Sequence, residues 1–171
     1  MNSSVKTQNK LSTKMLVYCA LLIALSFVGA QIKITASIAL DALPAFFGAL
    51  LLGPVAGAFV GALGHILTAA TSGFLFTVPV HLIIALCMAG ICFIFGYLKN
   101  RIHIIINSVI AILLNGVVLL FISAVAMQWL GIIPVIMETF LALVGPLTLG
   151  AAINVIIGAL LYRLVKDKIS L

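Results

Sequence analysis

From Ala36 to Leu82 the chain reads ASIALDALPAFFGALLLGPVAGAFVGALGHILTAATSGFLFTVPVHL, almost wholly apolar, with a Gly53-Pro54 break near its middle. A stretch this long and this greasy, folded back on itself at Gly-Pro, predicts two back-to-back helical segments. Apolar runs of the same kind recur along nearly all 171 residues. The composition agrees, at 65% hydrophobic and 7% charged, against roughly 25% charged in a soluble domain. A soluble core of this length needs far more polar surface to stay dissolved. Helices that satisfy their own backbone inside lipid are the answer, so the expected class is an all-α integral membrane protein.

A flexible basic N-terminal tail over residues 1–11 is expected to precede one transmembrane domain over 12–171. Its spans fall at about 12–30 (with Ser12 as N-cap), 36–53, 54–72, 77–98, 103–127 and 138–163, a compact bundle of six. The basic residues cluster at span ends: Lys6, Lys10 and Lys14, then Lys99 and Arg101, then Arg163, Lys166 and Lys168. Six spans place both termini on one side. With that side cytoplasmic, every Lys and Arg except Lys33 lies inside, as the insertion bias requires. The net charge of +6 is therefore a topology signal. No basic stripe with interleaved aromatics runs along the chain, and no nucleic-acid partner is expected.

Enzyme chemistry finds no foothold. The sequence carries no Walker-type phosphate loop, no HExxH, no GxSxG and no cluster of acids for two-metal work. Cys19, Cys87 and Cys92 form no CxxC pair and read as buried thiols, and no metal or cofactor is expected. No convincing cleavable signal sequence precedes the first span.

The topology sorts the polar residues. Lys33, Asp41, Ser72, His81, Gln128, Trp129 and Glu138 fall at or near the outer face, and His65, Asn115 and Asn154 lie deeper. Gly57, Gly61, His65, Thr68 and Ser72 share one helix face, small on its inner half and polar on its outer half. Such a polar half faces protein or water rather than lipid. It either lines a cavity or supplies interhelical hydrogen bonds. Asp41, three residues before Pro44, is an N-cap for the second span, an acceptor for a ligand, or both. It can also pair with Lys33. His81 divides between ligand contact and interfacial residue, and Trp129 between belt residue and lid. Asn115 and Asn154 each need a partner, and for Asn154 packing is the better account. Ala20 and Ala24 make a small-xxx-small pair near the start of the first span.

The six spans, the basic tail, Ala20-x-x-x-Ala24 and the hairpin ALPAFFGALLLGPVAGAFVGALGHILTAATSGF together resemble the substrate-binding S component of energy-coupling factor (ECF) vitamin transporters. The LLLGPVAGAFVGAL core is common to S components. IALDALPAF, GHILTAATSGF and PVHLIIAL look most like those for α-ribazole, a cobalamin-precursor nucleoside. The resemblance implies a non-catalytic subunit of a bacterial plasma membrane that captures a vitamin from outside. It implies docking, through Ala20 and Ala24, on a transmembrane T component that works with two ATPase subunits. It implies outer loops that close a pocket. For a flat, near-neutral nucleoside the expected site residues are Asp41, Phe46, His65, Thr68, Ser72, Phe74, His81, Asn115 and Trp129, with Phe76 as a further slot residue. Pantothenate, an anion, is the alternative ligand, and only Lys33 is there to meet it. A membrane assembly protein whose polar residues are only glue is the alternative outside transport.

Overall fold

The computed structural model describes residues 13–35 and 38–168, and most of these described residues are helical. In order the elements are α1 (Thr13–Gln31), strands β1 (Lys33–Thr35) and β2 (Ile38–Ala39), α2 (Leu43–Leu51), α3 (Pro54–Thr71), α4 (Val78–Leu98), α5 (Ile104–Leu113), a π-turn (Leu114–Val118), α6 (Leu119–Trp129) and α7 (Ile136–Val165). The strands pair antiparallel in a short hairpin, Lys33 opposite Ala39 and Thr35 opposite Ile38. The tail expected over 1–11 and the Ser12 cap lie outside the described residues. So does the Lys33 side chain that was expected to meet Asp41.

Among the described residues five helices, not six, are long and apolar enough to cross a bilayer: α1, α3, α4, the continuous α5–π–α6 unit and α7. The expected second span at 36–53 is replaced by the end of the hairpin and a nine-residue helix. Nine residues rise about 14 Å, half of a hydrocarbon core of about 30 Å. Two prolines set that length. Pro44 occupies the first turn of α2, where its missing N–H is no loss, and the Gly53-Pro54 break ends the helix behind it. Asp41 does not cap α2. The cap position is Ala42, which makes no side-chain hydrogen bond.

Although α2 is short, it reverses the chain. The Leu40 N–H donates to the Gly29 carbonyl at 3.1 Å, which ties the approach to α2 to the last turn of α1. At the other end of α2, Lys99 Nζ donates to the Leu50 carbonyl at 2.8 Å and stands 4.5 Å over the Tyr162 ring. The start of α1 and the ends of α2, α4 and α7 therefore share one end of the bundle. Lys14, Lys99, Arg101, Arg163, Lys166 and Lys168 gather at this basic end.

The core forms around α2. Phe46 and Phe95 meet edge to face at 5.5 Å, with Leu50, Val60, Cys92 and Val155 sealed around them. The small inner half of α3 works as its spacing predicts. A β-carbon at Gly57 would lie 2.5 Å from the Ala49 Cα, so α3 and α2 approach to backbone contact. Outward, Val17, Leu21, Leu86, Ile105, Leu141 and Leu164 stand exposed, an apolar coat that suits lipid.

Candidate functional site: a cavity above the short helix

A cavity of about 320 Å³ lies in the half of the bundle away from the basic end. It reaches from Phe76 in the α3–α4 turn down to Gly61, Met88 and Asn115. Besides Ala39 of β2 and Phe76, five parts of the chain form the wall. Asp41, Ala42 and Ala45 come from the start of α2, Val60 and His65 from α3, and Val80 and His81 from α4. Asn115, Leu119 and Ser123 come from the π-turn and α6, and Gly150, Ala151 and Asn154 from α7.

His65 and His81 form the densest polar feature. The α3–α4 turn brings them together, and His65 Nε2 lies 3.1 Å from His81 Nδ1. One of these nitrogens donates and the other accepts. His81 is only 9% exposed. Phe74 meets it at 5.7 Å and 67°, and Phe76 lies near parallel at 6.4 Å. Among the described residues His81 Nε2 has no hydrogen-bond partner.

Asp41 sits between β2 and α2, outside the five long helices. Burial pushes its carboxyl above the usual carboxylate range, and hydrogen bonds from the backbone N–H groups of Asp41 and Ala42 pull it partway back. Opposite it, Asn154 Nδ2 donates to the carbonyls of Ala39 and Gly150, each at 2.9 Å. Asn154 thus pins the hairpin to α7, which is the packing role its sequence context favours. It also lines the cavity, and its Oδ1 has no partner among the described residues.

Asn115 reaches the cavity from the π-turn. Within this turn Gly116 lies flat on α7: a β-carbon there would stand 2.5 Å from the Thr148 Cα. π-Turns inside α-helices are frequent at functional positions. From Asn115 the wall continues at regular helical spacing through Leu119, Ser123 and Met127. Ser123 Oγ is already committed as a donor to the Leu119 carbonyl at 2.8 Å.

The expected site residues divide. Asp41, His65, His81, Asn115 and Phe76 line the cavity, and Phe74 stands behind His81. Phe46 is 0% exposed and belongs to the core, not to a ligand slot. Thr68 is half-buried off the wall, its Oγ1 without a partner among the described residues. Ser72 is the exposed C-cap of α3. Trp129, 86% exposed at the end of α6, does not touch the cavity. Asn154 and the Leu119–Ser123–Met127 stripe were not picked as ligand contacts. The four-residue spacing from Asn115, and of Asn154 from Gly150, is the signal that would have found them.

A family model described as the ECF transporter substrate-specific component matches residues 14–165. The chain belongs to that family. Comparison with curated proteins and with solved structures returned no match. As an S component the protein is a substrate-binding subunit of an ECF importer, not itself an enzyme. It is a multi-pass membrane protein that works with a T component and ATPase subunits. Ala20 and Ala24, expected at the docking face of an S component, are exposed on α1 among Val17, Leu21 and Val28.

Proposed function

We propose that this S component captures α-ribazole, or a closely similar neutral nucleoside of a flat nitrogen heterocycle, in the cavity above α2. One observation carries the reading. Among the described side chains, which do not include that of Lys33, Asp41 is the single formally charged one on the wall and no Lys or Arg lines it. Among these side chains an anion such as pantothenate would meet a carboxylate and no cation. A hydroxylated, neutral ligand instead finds acceptors in Asp41 and Asn154, donors and acceptors in the His65–His81 pair and Asn115, and the Phe76 ring for its heterocycle. A cavity of about 320 Å³ falls within the range of about 300–1,000 Å³ that small-molecule sites occupy.

The basic end supports an orientation with both termini in the cytoplasm of a bacterial cell and the cavity toward the outside. The exposed Ala20 and Ala24 support a docking contact with the T component, since small residues let two helix backbones approach. Calorimetry on the solubilised protein tests the substrate. α-Ribazole is expected to bind far more tightly than pantothenate, riboflavin or thiamine. No heat and no thermal shift with α-ribazole would refute this reading.

A further inference from the structure

We propose that His81 is a positioning residue that fixes His65 as a hydrogen-bond donor at Nδ1, so that the cavity selects a heteroaromatic ligand offering an acceptor atom such as an unprotonated ring nitrogen. This rests on the cavity being the ligand site and adds the polarity that its histidine end reads.

A neutral imidazole carries one N–H and one lone pair. The 3.1 Å bond between His65 Nε2 and His81 Nδ1 holds a single hydrogen, so the pair has two arrangements. If His65 donates, the remaining proton of His81 sits on Nε2. That nitrogen is covered by protein, with no partner among the described residues and too little exposure for a water molecule to reach it. Phe74 meets this imidazole edge to face and Phe76 lies near parallel to it. A buried N–H in such a place gives up its bond to water and gains nothing. If His81 donates from Nδ1, Nε2 keeps only a lone pair. On the main chain, buried carbonyls left short of a partner occur more often than orphaned N–H groups, and the same preference is taken to hold for this imidazole.

The second arrangement therefore prevails, and it decides the state of His65. His65 Nε2 accepts, so its own proton is on Nδ1. Nδ1 is the nitrogen that the pair leaves over, on a residue of the cavity wall. The rest of the polar wall is rich in acceptors. Asp41 offers a carboxylate, and Asn154 has spent its Nδ2 on Ala39 and Gly150. A fitting ligand thus brings hydroxyl donors to one side and a ring acceptor to the other. A heterocycle that presents C–H or N–H to His65 leaves the Nδ1 proton unmatched.

Two measurements test the relay. The first is the nitrogen-15 spectrum of the histidines in the ligand-free protein in nanodiscs. His65 and His81 are both expected as Nδ1–H tautomers. His103 at the basic end, whose Nδ1 accepts from the Ile105 N–H at 3.3 Å, gives the Nε2–H reference. A His81 protonated at Nε2 overturns the proposal. The second compares α-ribazole with its analogue in which the acceptor ring nitrogen is replaced by C–H. Wild type is expected to prefer α-ribazole about tenfold or more, the factor one hydrogen bond supplies. His65→Phe and His81→Phe are expected to bring that preference close to one. His81→Gln, whose amide donates to His65 Nε2, is expected to restore it. A His81→Phe protein that binds both probes more weakly but keeps the preference shows a packing role only and overturns the relay. If wild type binds neither probe while both histidines are Nδ1–H, the α-ribazole assignment fails and the tautomer assignment stands.

Discussion

Gly116→Ala places one methyl group where the bundle has no room for it. The added carbon would lie 2.5 Å from the Thr148 Cα, 2.7 Å from its Oγ1 and 3.0 Å from its Cβ, against 3.4–4 Å for an ordinary contact. The nearest obstacle is backbone, so no rotamer change relieves it. Either the π-turn relaxes or α5–α6 moves off α7 by about 1 Å, and forcing one methylene into a packed site costs about 1–3 kcal/mol. At about 2–4 °C per kcal/mol for a chain of 150–250 residues, the unfolding midpoint should fall by about 2–12 °C. Because Asn115 is the neighbouring residue, ligand affinity should fall with it. Gly90→Ala and Gly145→Ala are the matched controls, since both lie in helices with nothing within 4 Å of the added carbon. Each should gain about 0.5–1 kcal/mol. Thermal unfolding in detergent, read by size-exclusion recovery, separates the two classes. If Gly116→Ala tracks Gly145→Ala in midpoint and affinity, the close seating of the π-turn on α7 is wrong.

Asp41→Asn should trade function for stability. Burial raises the folded-state pKa of this carboxyl, so its contribution is fully present below the ordinary value of 3.8 and is lost as the pH rises through the raised one. At neutral pH the Asn variant should melt higher than wild type, bind ligand more weakly, and lose part of the acid-side pH dependence; a lower neutral-pH midpoint would contradict this. Lys99→Met removes the 2.8 Å bond to Leu50 and the contact with the Tyr162 ring. A loss of about 1–2 kcal/mol is expected, with affinity unchanged, and an unchanged midpoint would argue against these two contacts. Ala20→Trp should impair co-purification with the T component and ATPases yet leave ligand affinity intact, and weakened ligand binding would instead mark Ala20 as internal packing.

The membrane class, the Gly53-Pro54 hairpin and the collection of cations at one end were legible because each follows from a pattern longer than any local ambiguity. The length of α2 was not. A hydropathy window over 36–53 reads the same whether those residues form one helix or a strand end and a half-helix, and only Asp41 and Pro44 hinted at a late start. Asp41, His65, His81 and Asn115 were legible as polar groups that lipid will not take. Phe46 and Trp129 were chosen by residue type, and type does not reveal which way a ring faces. Asn154 shows a different limit: one amide both fastens the hairpin and borders the cavity, and its spacing from Gly150 supports either role. The His65–His81 bond depends on the path of the α3–α4 turn, which residue spacing along two separate helices does not determine.

The short α2 also explains where the open volume comes from. The bundle has not been pried apart to make room; one of its staves is simply cut to half length, and the open volume lies above it. Extending α2 upstream by two turns would plug that space with its own side chains and leave a solid, well-packed membrane bundle with nothing to carry.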